Sequence, residues 1–91
     1  MNREEILDTA KKIVSGERQQ SYGKPEDNFR LIADLWSCFL GKEITPLEVP
    51  QMMILLKLAR TRGKDNKDNY VDIAGYSACA GEIYSKLWKD Q

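Results

Sequence analysis

Apolar residues return every three or four positions along most of this chain, and no stretch alternates apolar and polar residues long enough to suggest a strand. In the first segment Ile6, Ala10, Ile13 and Val14 share one helical face, which Ser15 and Gly16 bring to an end. The following "ERQQSYGKPED" holds Gly23 and Pro25 but no apolar stripe, so it reads as an ordered loop. A second helix is expected from about Pro25–Asp27, with Phe29, Ile32, Ala33, Trp36 and Leu40 on one face and Gly41 as its stop.

"ITPLE" is a helix-start signal: Thr45 can cap, Pro46 suits the first turn, and Glu48 completes a capping box with Thr45. Pro50 comes early enough to be tolerated or to bend the helix slightly. The third helix runs through "QMMILLKLARTR", with Met52, Met53, Leu55, Leu56 and Ala59 as its apolar side. Gly63 and the polar "KDNKD" then turn the chain. The fourth helix is expected from about Asp68 to Trp88, with Tyr70, Ile73, Ala74, Ser77, Ala80, Tyr84, Leu87 and Trp88 roughly in register. The pattern predicts one all-α domain of four helices over residues 1–91.

Composition narrows what such a domain can do. Fourteen basic residues balance fourteen acidic ones, so no net field draws the chain to duplex nucleic acid. A chain of 91 residues buries a modest share of its surface, and oligomerisation commonly supplements so thin a core. There is no histidine, which removes histidine general acid–base chemistry, histidine metal sites and the usual catalytic triads. Cys38 and Cys79 are not spaced as a metal-binding pair and stand among apolar or small neighbours, so they read as buried, reduced thiols. The amphipathic, acidic start "MNREEILDTAKK" is unlike a signal peptide, and no apolar run approaches membrane-spanning length. The expectation is a cytoplasmic protein with no membrane partner.

Three features carry candidate chemistry. The first is "KDNKDNYVDIAGYSACAG", where Asp68 and Asp72 stand four residues apart at a helix start, ahead of a run of very small residues. Asp68 can be an N-cap or simply complement the helix dipole. Asp72 shares a face with Tyr76 and lies beside Ile73, so its carboxylate needs a partner: an arginine, a lysine or a metal ion. The second is "LLKLAR", which sets Lys57 and Arg60 three apart within an apolar run. They form either a solvated stripe whose stems cover the core, or a cationic pair facing Asp72 or the phosphates of a ligand. The third is the loop, where Arg18, Tyr22 and Lys24 surround Gly23: a ring able to stack on a base with two cations nearby. The small residues Ala74, Gly75, Ser77, Ala78, Ala80 and Gly81 invite close approach of another helix, within one protomer or across a dimer.

Together, "RQQSYGKPEDNFRLIADLW", "MMILLKLARTRG" and "DNYVDIAGYSACA" resemble small phage and prophage proteins related to the nucleotide-modification-associated domain family 1. Those in turn resemble the all-α nucleotide pyrophosphohydrolases of the MazG type. The resemblance covers roughly residues 17–87 and implies an oligomeric MazG-like helical fold with nucleotide bound between helices. In those enzymes a Glu-x-x-Glu pair and a Glu-x-x-Asp pair hold magnesium. Asp72 matches the last acid of that set, Asn69 stands where the second pair would begin, and the first pair has no match, Lys57 and Arg60 occupying the corresponding helix.

Three functional readings follow. One is a nucleotide-binding protein with a degenerate pyrophosphohydrolase-like site built from Arg18, Tyr22, Lys24, Lys57, Arg60, Asn69, Asp72 and Tyr76, requiring no cofactor to bind. Such a protein would sequester a nucleotide signal of host defence, or act in nucleotide metabolism. Another is an active magnesium-dependent pyrophosphohydrolase using Asp68 and Asp72, with glutamates drawn from Glu4, Glu5 or Glu48. The third is a helical protein–protein adaptor with no small ligand.

Overall fold

The computed structural model describes residues 1–16, 23–64 and 66–87. Four α-helices account for most of them: α1 (Arg3–Ser15), α2 (Pro25–Leu40), α3 (Glu48–Arg60) and α4 (Lys67–Leu87). No strand occurs among the described residues, as the periodicity predicts. Trp88 and the loop residues Arg18 and Tyr22 lie outside them.

Local chemistry sets the helix ends. Asn2 opens α1 by accepting the Glu5 backbone N–H on its side-chain oxygen at 2.9 Å. Pro25 begins α2, and Gly41 closes it in the left-handed region at φ 66°, donating its N–H to the Ser37 carbonyl. Ser37 then fastens the next turn: its Oγ donates to the Ala33 carbonyl at 2.6 Å and accepts the Ile44 N–H at 2.8 Å. The expected capping box is present, with the Thr45 N–H on Glu48 Oε1 at 2.9 Å and the Glu48 N–H on Thr45 Oγ1 at 3.3 Å. It closes over a tight turn at Pro46 and Leu47, however, and regular helix begins only at Glu48. Pro50 falls in the first turn of α3, where its missing N–H would have had no helical partner.

Antiparallel packing of α3 on α4 organises the domain. Val49 near the start of α3 is 0 % exposed and clusters with Ile83 near the end of α4, while Phe29 and Ala33 bring α2 onto the same cluster. Ile32, Trp36, Ile44, Leu47, Tyr76 and Cys79 pack around it, half-buried. The Phe29 and Tyr76 rings meet at 6.3 Å between centroids, a tilted pair linking α2 to α4. α1 covers the first half of α4 instead, burying Ala10 and Val71.

The inner faces differ from those the spacing suggests. On α3 the buried or half-buried residues are Val49, Pro50, Met53, Ile54 and Lys57, while Met52, Leu55, Leu56 and Ala59 point outward. The helix is apolar nearly all round, so periodicity alone does not select the side its own core takes. On α4 the buried line is Val71, Gly75 and Ile83, and Tyr70, Ser77, Tyr84 and Leu87 are exposed. The small residues between Ile73 and Glu82 blur that helix's phase. Leu40 is exposed on α2, and so is Cys38; neither cysteine is in a disulfide, and only Cys79 is partly covered.

Gly75 and Gly81 separate two halves of α4. A Cβ on Gly75 would stand 3.2 Å from Val14 Cγ1, so this glycine lets α1 lie close; a Cβ on Gly81 would meet nothing within 4 Å. Gly75→Leu should therefore destabilise the protein by about 1–3 kcal/mol through overpacking. Gly81→Ala should stabilise it by about 0.5–1 kcal/mol, because the helix gains propensity without a clash. Urea denaturation measures both, and equal effects at the two positions would contradict this assignment.

Candidate functional site

The candidate residues lie on either side of the α3–α4 hairpin. Lys57, in the last turn of α3, and Asp72, early in α4, face each other across it. The Lys57 ammonium lies 3.0 Å from Asp72 Oδ2, with the two side chains 16 % and 34 % exposed. The partly buried carboxylate thus has the cationic partner its position demanded. Lysine, not arginine, supplies it: Arg60, one turn further on, is exposed at the end of α3. Of Lys57 and Arg60, expected together to face Asp72 or a ligand's phosphates, it is Lys57 that forms the ion pair. The flexible lysine starts one turn deeper, where its stem covers apolar surface before the ammonium reaches the carboxylate.

Asp72 also borders a mostly apolar cavity where α1, α2 and α4 converge. Ala10, Val14, Phe29, Val71 and Gly75 supply apolar or bare wall, and Asn28, Asp72 and Tyr76 supply polar atoms. It measures about 50 Å³. That is room for one or two water-sized groups and too little for a nucleobase. A larger ligand engaging Asp72 would have to lie across the mouth of this cavity.

The other named residues are more dispersed. Asn69 is half-buried one turn before Asp72, and Asp68 is exposed in the first turn of α4. Asp68 is not the cap: the helix begins at Lys67, and the preceding Asn66 carbonyl accepts the Tyr70 N–H at 3.2 Å. Lys24 is exposed just before α2 and borders a different, polar cavity with Glu26, Glu82 and Lys86. Tyr76 packs its ring on Phe29. Structure thus brings Lys57, Asp72 and Tyr76 into one neighbourhood and leaves Lys24 on another face. Arg18 and Tyr22, expected to contact a ligand's phosphate and base, lie outside the described residues.

Magnesium would find little support among the described residues. No three carboxylate or thiol side chains gather there as a metal-holding group. Asp72 is occupied by Lys57, and Glu48 is held in the capping box. Glu4 and Glu5 are exposed in the first turn of α1. An octahedral ion would need to displace an ammonium and recruit oxygens from elsewhere.

Lys86 near the end of α4 bonds Glu26 at the start of α2 and reaches Glu82 one turn back on its own helix. The hydrogen bond from Lys86 holds Glu26 below the ordinary carboxylate value, and the bond to Glu26 raises Lys86 above its own. This triad, with Glu26 half-buried and Glu82 and Lys86 exposed, links α2 to α4. The Glu82–Lys86 spacing is visible in the sequence, but Glu26, sixty residues away, becomes their neighbour only through the fold.

Removal of either member of the central pair should be felt in stability. Asp72→Ala is expected to cost about 1–2 kcal/mol, and Asp68→Ala within about 0.5 kcal/mol, because only Asp72 leaves a mostly covered cation behind. A Lys57→Ala/Asp72→Ala double-mutant cycle in urea should give a favourable coupling near 1 kcal/mol. Zero coupling, or equal losses at Asp68 and Asp72, would contradict the pairing.

The chain matches over residues 5–84 the family model described as a domain of unknown function, DUF6378. It is 43% identical over 84 residues to the Gene 55 protein of Mycobacterium phage D29, an alignment covering 91% of this chain and 56% of that protein. To the Gene 55 protein of Mycobacterium phage L5 it is 47% identical over 74 residues, covering 79% of this chain and 47% of the relative. The chain spans about half the length of the curated relatives it matches. No solved structure matches it. No helix among the described residues is long and apolar enough to cross a membrane. With the family model covering nearly its whole length, the chain belongs to the DUF6378 family, a family with mycobacteriophage members.

Proposed function

We propose that this protein binds a nucleotide, or a nucleotide-derived phosphate compound, at the α3–α4 face without hydrolysing it. The observation carrying this reading is the Lys57–Asp72 pair at the edge of the cavity that Asn28 and Tyr76 also border. It places a partly covered cation beside hydrogen-bonding groups and an apolar wall, with exposed Arg60 one turn away. An arriving phosphate would compete with Asp72 for the Lys57 ammonium and gain the Arg60 fork, leaving the carboxylate to accept from a ribose or base. The MazG-like resemblance supports the same chemistry, and sequestration of a host defence signal, or a part in nucleotide metabolism, is the role this reading assigns.

Binding ranks above hydrolysis because a pyrophosphohydrolase activates water with several metal-held carboxylates, whereas the paired group here is a cation with one acid. A second reading, the protein–protein adaptor, is favoured by a different observation: Leu31, Leu35, Phe39 and Leu55 all stand exposed.

A thermal-shift screen of nucleotides, with and without magnesium, tests the reading, with product analysis of any hit. A nucleotide should raise the melting temperature without metal, and the effect should shrink as salt screens the phosphate contacts. Arg60→Ala should weaken binding by roughly 1–3 kcal/mol while leaving the fold intact, since the side chain is exposed. Magnesium-dependent release of pyrophosphate, abolished by Asp72→Ala, would establish the enzyme instead. No stabilisation by any nucleotide would favour the adaptor.

A further inference from the structure

Two helices carry apolar surface beyond what their own core covers. On α2, Ile32, Leu35, Trp36 and Phe39 follow the i, i+3, i+4, i+7 spacing; on α3, Met52, Leu55, Leu56 and Ala59 repeat it. Leu35, Met52, Leu55, Leu56 and Ala59 are exposed, and Phe39 is 89 % exposed; Ile32 and Trp36 are half-buried and join the stripe to the core. The stripes meet where Trp36, Phe39 and Leu40 of α2 and Met52 of α3 line one shallow groove. Neither stripe contains a charged residue. We propose that this surface binds a second copy of the same chain, with α2 and α3 of each protomer forming a four-helix bundle about a two-fold axis.

Area argues for a partner of that size. The chain presents 7029 Å² to solvent, whereas a compact monomer of its mass exposes about 5,400 Å². The excess of roughly 1,600 Å² is about twice what each partner contributes to a standard interface. Its radius of gyration, 13.9 Å, likewise exceeds the ~12 Å of a compact domain this long. The form of the surface argues for self-association. Two neighbouring helices bearing stripes of this spacing make half of a four-helix bundle, and a two-fold axis supplies the other half from an identical surface. The bare face of α4 has a weaker claim, since α1 already covers Gly75 and a Cβ on Gly81 would meet nothing within 4 Å. The homo-oligomer expected from the small residues of α4 is thereby moved to α2 and α3.

Light scattering on the full chain at tens of micromolar tests this proposal. The mass should be twice the 10.5 kDa of one chain. Phe39→Glu and Leu55→Glu, both at exposed positions, should each return it to the single-chain mass with the helical circular dichroism retained. Ala78→Glu on α4 should leave the dimer intact. A single-chain mass for the unaltered protein would overturn the proposal, leaving the stripes to a different protein. A dimer indifferent to both Phe39→Glu and Leu55→Glu, or one dissolved by Ala78→Glu, would overturn it too. Should the glutamate variants lose their helical signal, Trp36 emission in a Trp88→Phe background decides: dilution to nanomolar should shift it to the red as the mass halves. Dissociation without that shift would place the interface elsewhere.

Discussion

The burial of Val49 between α3 and α4 is the contact on which the rest of this small structure depends. It lies at the start of α3, opposite Ile83 near the end of α4, so the two helices must run antiparallel over most of α3. That alignment brings Lys57 opposite Asp72 at the other end of the hairpin. It also creates the platform on which Phe29 and Ala33 seat α2. Apolar packing fixes the register, and the ion pair is a consequence of it. A partly exposed pair worth about 1 kcal/mol could not by itself hold two helices against the entropy of ordering them.

The same hairpin explains why the candidate site and the candidate interface are separate surfaces. α3 is apolar nearly all round, and once Val49, Pro50 and Met53 face α4, the opposite arc of Met52, Leu55, Leu56 and Ala59 must point away. Lys57 is on the α4-facing side, so it meets Asp72 beside the cavity under α1. A ligand at Lys57 and a second chain on Leu55 would therefore occupy different sides of one helix.

Element existence was readable because it depends on local signals: the capping box of Thr45 and Glu48, the left-handed Gly41, and Pro25 at a helix start. The need of Asp72 for a partner was readable as well, since a carboxylate beside apolar residues has few alternatives. The choice of that partner was not. Lys57 and Arg60 are three apart, and only the antiparallel register decides which one reaches across. The inward face of α3 escaped for a related reason: a helix with two apolar stripes offers two answers, and tertiary packing takes one. On α4 the small residues carry too little apolar surface to mark a phase, so the line through Val71, Gly75 and Ile83 emerged only from the fold. Ser37 gave no signal beyond being a serine near a helix end, yet it ties α2 to the turn before α3.

Native-state hydrogen exchange, resolved amide by amide, tests most directly whether the α3–α4 hairpin organises this domain. Amides of α3 and of the second half of α4 should exchange most slowly and together, as one cooperative unit that opens only with global unfolding. Those of α1, which buries Ala10 alone, should open earlier and independently. Protection in α1 equal to or greater than that in α3 would contradict the account, because the hairpin would then not be the unit on which the other helices are built.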